Sequence, residues 1–310
     1  MDVAFIVANQ VLIMFLLIAV GVLCDRIGMI TPRGAKQMAS LLLYLVSPSL
    51  IVTSYQRDYD PDKTELLLWC VGLAVVTHLV GIGFGKLLFR PNERRYPNHR
   101  DRIAFYGSMY SNAGFFAYPV LSAVFGSEGI FYGVAYTAVF LVFNWTHGVV
   151  LLTKKFSWRF LAKLLVNPAI ISVALGLLLY FTGWRLPQPA NDLLLYIGDL
   201  NTPLAMIVIG CWCSRVNWRQ ALRDWTLYLV SAVRLLFIPL VMLALYRLLA
   251  VNDTILIAAL IPAASPAGAN TSMMTAVFGG DQYYGSQIIA VSTLLCIVTL
   301  PAIVFLAGLL

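Results

Sequence analysis

With 310 residues the chain is long enough for two ordinary domains, but 60% of it is hydrophobic, only 11% is charged and the mean hydropathy is +0.84. That composition cannot cover a water-soluble surface, so soluble globular enzymes are excluded and a polytopic membrane protein is indicated. The formal charge of +7 does not mark a nucleic-acid-binding protein, because the 21 Lys and Arg sit in short connectors between apolar runs and form no basic domain.

A bilayer core about 30 Å thick takes about 20 helical residues, and ten segments meet that length. Charge-free runs cover 3–24, 37–56, 66–85, 103–127, 129–153, 164–184, 254–280 and 282–310, while 193–214 and 225–246 each carry one ionised residue, Asp199 and Arg234. The first run lacks the basic start and small-residue cleavage site of a cleaved signal peptide and is read as helix 1. Of the Lys and Arg, 16 fall in connectors 1-2, 3-4, 5-6 and 7-8. Cytoplasmic loops are enriched in these residues, so a cytoplasmic-membrane protein with both termini on the non-cytoplasmic side is expected. No hydrophilic stretch is long enough for a soluble domain and no GxxxxGK[ST] motif is present, so any uphill movement must draw on an ion gradient or on the solute's own gradient. The five cysteines include no CxxC pair, which argues against a disulfide framework and a metal site; Cys211 and Cys213 read as small packing residues.

The two halves repeat each other. Leu-Leu-Leu-Tyr occurs at 41–44 and 193–196, a mid-span proline follows at Pro48 and Pro203, and Ala-Val-Phe-Gly occurs at 123–126 and 276–279, each followed by an acid, Glu128 or Asp281. The common offset is about half the chain, so 1–155 and 156–310 are expected to be two five-helix units. An odd number of spans per unit inserts the second copy upside down. The expected fold class is thus an all-α polytopic membrane protein with ten transmembrane helices in two inverted five-helix repeats.

Helix 4 carries Ser111-Asn112-Ala113-Gly114-Phe115 and Pro119, and its repeat partner, helix 9, carries Pro262, Ser265-Pro266-Ala267-Gly268 and Asn270. In hydrocarbon every backbone N–H and C=O needs a partner, so such stretches deep in a span mark either proline kinks with close packing or broken helices around a polar site. Their occurrence as a repeat-related pair favours the site. Half-helix N-termini there can attract anions, and loosened carbonyls can hold cations. Asn112, Gly114, Pro119, Ser265, Pro266 and Asn270 are the expected substrate-binding residues, with Asn144 and Trp145 of helix 5 as further candidates.

These motifs, together with Phe125-Gly126, Glu128-Gly129, Gly279-Gly280-Asp281 and Ser-Gln-Ile-Ile-Ala-Val-Ser-Thr-Leu-Leu at 286–295, resemble the auxin efflux carrier family, which includes PIN-like carriers and bacterial malate or malonate permeases. The resemblance runs over nearly the whole chain. It implies an NhaA-like or bile-acid-symporter-like fold in which helices 1, 2, 6 and 7 form a scaffold and helices 3–5 and 8–10 a transport domain. Helices 4 and 9 unwind and cross, an elevator movement carries organic anions, and Asn112 lies near the substrate carboxylate; a homodimer through the scaffold is also expected. Plant members have an acidic residue in helix 3, where this chain offers only Glu65 at the edge and His78 inside.

Asp199 and Arg234 are the acid and the base well inside spans, and either alone is costly there. Three readings stay open: a neutralised buried pair, an Arg234 carboxylate clamp with a protonatable or cation-binding Asp199, or an Arg234 that snorkels or caps backbone carbonyls. His78 and His147 serve either packing or a proton relay. No HExxH, GxSxG or DxxD motif is present, so an enzyme is not expected. The reading is a secondary transporter for small organic anions without a cofactor, with H+ or Na+ as candidate coupling ions; a transporter-fold sensor or a channel is the alternative.

Overall fold

The computed structural model describes residues 3–89, 100–155, 158, 162, 165–278 and 280–310. Arg90, Arg94, Arg95, Arg159, Lys163 and Gly279, which entered the topology and motif readings, lie outside these. Among the described residues the structure is helical, with no strand.

Seven helices are long and apolar enough to cross a membrane: α1 (Val3–Arg26), α2 (Pro32–Ser54), α3 (Pro61–Leu88), α5 (Ser127–Thr153), α7 (Gln188–Ser214), α8 (Trp225–Leu248) and α10 (Gln282–Leu309). Three apolar helices are shorter: α4b (Ala113–Phe125), α6 (Pro168–Thr182) and α9a (Asp253–Ala264). The span expected at 103–127 is divided into α4a (Arg100–Met109) and α4b, and that expected at 254–280 into α9a and α9b (Asn270–Phe278).

Helix starts follow local chemistry. Asp60, Asn167, Asp224 and Asn252 each accept a hydrogen bond from a first-turn N–H of α3, α6, α8 and α9a, and Pro61 and Pro168 stand at first positions where no N–H is needed. Three prolines inside spans, Pro48, Pro119 and Pro239, follow wide π turns at Leu42–Val46, Ala113–Ala117 and Val233–Phe237. The widened turn gives the chain room where the proline lacks a donor.

In lipid, helices associate through close packing because the surroundings are as apolar as the side chains. Helix α1 shows how. Val7, Val11, Met14, Ile18 and Gly21 form a buried stripe, while Phe5, Leu12, Leu16 and Leu23 point outward. The stripe packs on the second half of α7. A Cβ on Gly21 would stand 2.2 Å from the Ile207 carbonyl oxygen, and one on Gly210 would stand 2.2 Å from that of Ile18. Only glycine at both places lets the two backbones touch.

At one end of the bundle, Glu128 in the first turn of α5 meets Lys63 and Arg57. Arg57 also donates to the Ser54 carbonyl at 2.8 Å and lies over the Phe131 ring at 4.8 Å. Its burial lowers its pKa from the usual guanidinium value, with Glu128 opposing the shift. Elsewhere Arg100 joins Asp281 at 3.1 Å and Asp224 at 3.9 Å. These pairs tie connectors together and leave the middle of the bundle to the two broken helices.

Candidate functional site

Helix α4a ends at Met109 and α9a ends at Ala264, and both chains then run extended before turning helical again. The extended stretches cross antiparallel, with Ser111 bridged to Ala267. The Asn112 N–H donates to the Pro266 carbonyl at 2.7 Å, and the Gly268 N–H donates to that of Tyr110 at 2.9 Å. The Ala267 N–H is taken by the Ser292 hydroxyl of α10 at 3.1 Å. Each break thus supplies partners for the other's freed backbone groups, as a low-dielectric interior demands. Gly268 is needed for this approach, since a Cβ there would lie 2.8 Å from the Ser111 carbonyl oxygen.

The crossing has two unlike faces. On the first, the C-terminal ends of α4a and α9a converge on Arg234, which the π turn of α8 carries into the interior with no exposed surface. Its guanidinium donates to the Met109 carbonyl at 2.6 Å and to the Ala263 carbonyl. The Tyr136 side chain stands beside it.

On the second face the N-terminal ends of α4b and α9b meet a cleft of about 80 Å³. Ser47, Ser111, Asn112, Thr137, Asn167 and Asn270 give it polar atoms, and Leu43, Ile51, Phe115, Phe140 and Leu141 give it apolar walls. None of the lining residues is ionised. Helix α4b starts without a side-chain cap, and the buried Asn112 amide Nδ2 has no hydrogen-bond partner. First-turn N–H groups carry partial positive charge, and they join the side-chain amides and hydroxyls of a cleft without ionised groups. A volume that admits only a few waters suits a solute of a few heavy atoms and falls below the ~300 Å³ typical of drug-sized sites.

Of the expected substrate-binding residues, the structure brings Asn112, Gly114 and Asn270 together in the cleft. Pro266 gives its carbonyl to the crossing, Ser265 is buried and donates to the Ile261 carbonyl at 2.9 Å, and Pro119 is buried within α4b; none of the three lines the cleft. Asn144 is held elsewhere, accepting from the Tyr106 hydroxyl between α5 and α4a. Its place follows from the aromatic partner, which the sequence could not assign to it.

The ionisable candidates separate. Asp199 is exposed near the end of the first half of α7, and Arg234 is spent on backbone carbonyls, so the two form no ion pair and neither lines the cleft. The carbonyl-capping reading of Arg234 is the one that matches the geometry. His78 is buried with Nδ1 2.7 Å from the Ala74 carbonyl and its ring stacked on Phe143 at 4.9 Å, away from the cleft lining.

Sequence reasoning missed Ser47, Thr137 and Asn167. Ser47 precedes Pro48 and donates to Asn201 of α7 at 3.3 Å, Thr137 accepts from the Tyr118 hydroxyl at 2.9 Å, and Asn167 caps α6. The mid-span prolines Pro48 and Pro203 were the one signal that pointed toward Ser47 and Asn201.

The chain matches the family described as "Membrane transport protein" over residues 6–304. It is 26% identical over 298 residues to an uncharacterized transporter of Methanothermobacter thermautotrophicus, covering 94% of this chain and 96% of the relative. It is 24% identical over 221 residues to the uncharacterized transporter MJ1031 of Methanocaldococcus jannaschii, covering 65% and 67% of the two chains.

Proposed function

Because the chain belongs to the auxin efflux carrier family of membrane transport proteins, we propose that this multi-pass membrane protein is a secondary transporter of small organic anions, carboxylates first. The observation that carries the reading is the cleft. It combines two half-helix N-termini, an unpartnered buried amide on Asn112 and a second amide on Asn270, with apolar walls for the rest of a small acid. Such a site attracts a carboxylate and holds no ionised side chain to repel one.

The proposed architecture is ten spans in two inverted five-helix units, 1–155 and 156–310. Three contacts support the duplication. Ser47 bonds Asn201, 154 residues later; Asn112 bonds Pro266 at the same separation; and Arg234 joins the Met109 and Ala263 carbonyls, again the same distance apart in sequence. Contacts between equivalent positions are what a pseudo-twofold axis through the crossing produces.

In this reading helices 1, 2, 6 and 7 stay fixed and form the seam of a homodimer, while 3–5 and 8–10 carry the cleft across by an elevator movement. The excess of Lys and Arg in alternate connectors puts both termini outside the cytoplasm. The protein performs no chemistry on its solute and takes no cofactor.

The test is uptake of radiolabelled small carboxylic acids by proteoliposomes, guided by a thermal-shift screen of the same acids at two pH values. At least one acid is expected to stabilise the protein and to be taken up, with Asn112→Ala abolishing uptake. An acid carried equally well by that variant would refute the assignment of the cleft, and currents of single-channel size would make the protein a channel.

A further inference from the structure

We propose that Arg234 is a tethered counter-cation: its guanidinium fills the place where the two half-helix C-termini at the crossing would otherwise hold an inorganic cation, so the crossing is assembled without sodium. In broken-helix transporters, loosened carbonyls and half-helix C-terminal ends are the groups that coordinate a coupling cation. Here those groups are the ends of α4a and α9a, and both already accept from one side chain.

The charges balance. Each helix C-terminus carries about −0.5 of an elementary charge, so two converging ends present roughly one negative charge, which a single guanidinium cancels. No carboxylate of the described residues is within ion-pair distance of Arg234. A fully buried arginine without such a neutralising partner would be costly in a bilayer, and the backbone ends supply the counter-charge. The other side chains around it are those of Tyr136, Cys296 and His78, none of them a carboxylate.

The geometry also suits a permanent occupant. The wide turn Val233–Phe237, followed by Pro239, directs the side chain inward from α8, and the planar fork of donors reaches two carbonyls at once, which an ammonium does poorly. An arginine stays protonated at every pH the cell offers, so the place is filled throughout. Arg234 is then a positioning residue. It sets the register of the crossing, and through it the two N-termini at the cleft. The inference concerns the sealed face of the crossing and does not depend on which solute is carried.

The experiment is thermal unfolding of the purified full chain in detergent, in choline chloride and in sodium chloride of equal ionic strength, each with and without millimolar methylguanidinium chloride. The wild type is expected to unfold at one temperature in all four. Arg234→Ala is expected to unfold lower in choline and to recover by several degrees when methylguanidinium refills the vacated place. A side chain with a merely structural role would lower the midpoint without creating that response. Arg234→Lys, which keeps the charge, is expected to fall between and to respond little. Sodium-specific stabilisation of the wild type would overturn the proposal, as would a folded Arg234→Ala protein that ignores methylguanidinium. If the alanine variant does not fold, the wild-type and lysine arms still decide. Asn112→Ala, run alongside, is expected to show no cation response, so a failure of the anion-transport reading leaves this result separate.

Discussion

The two faces of the crossing are made from the same four half-helices and differ in how their ends are satisfied. At the C-terminal face the carbonyls are closed off by Arg234, with no exposed surface. At the N-terminal face α4b begins without a side-chain cap, and the Asn112 amide nitrogen is buried without a partner. A backbone dipole of either sign is costly to leave unmet in a membrane interior. The protein meets the negative ends with its own charge, and on the proposed function the positive ends are left to a solute, which would sort the crossing into a structural side and a binding side.

That contrast can be broken from the structural side first. Replacing Arg234 by Met removes the partner of two buried carbonyls and is expected to cost about 3–5 kcal/mol, the scale for breaking a buried charged interaction; the unfolding midpoint in detergent measures it. A midpoint equal to wild type would mean that the helix ends do not need the guanidinium. Gly268→Ala comes next. Its added Cβ would lie 2.8 Å from the Ser111 carbonyl, and the expected loss is roughly 1–3 kcal/mol, typical of overpacking, accompanied by lower uptake because both cleft N-termini shift.

On the binding side the effects should leave stability and appear in transport. A Cβ on Gly114 meets nothing within 4 Å, so Gly114→Ala is expected to hold or raise stability by about 0.4–1 kcal/mol while its methyl occupies part of a cleft of about 80 Å³. Uptake kinetics should then show a higher KM. Loss of stability with unchanged KM would place Gly114 in packing instead of the site.

How far the sequence could be read divides along the same line. Pro, Gly and Asn deep in helices 4 and 9 located both breaks, because those residues are tolerated in a span only where the backbone is rescued, and Asn112, Gly114 and Asn270 are found at the cleft. Depth along a span, however, does not say which way a side chain faces. Asp199 and Arg234 lie at similar depths, yet one is exposed on α7 and the other is turned inward by a π turn. Arg234 binds main-chain carbonyls, which leave no mark in a residue pattern. Asn144 lies away from the cleft for a related reason: its partner, Tyr106, lies 38 positions away. Ser47, Thr137 and Asn167 are single polar residues without periodicity to single them out, and only the packing of α2, α5 and α6 around the crossing brings them to one place.

On the proposed function, solute binds at the N-terminal face and not at Asp199, the acid that stands out in the sequence. Counterflow of a transported acid into proteoliposomes, compared between Asn112→Ala and Asp199→Asn at matched protein content, tests it most directly. Counterflow should be abolished in Asn112→Ala and equal to wild type in Asp199→Asn. Undiminished exchange by Asn112→Ala together with loss of exchange in Asp199→Asn would contradict the account.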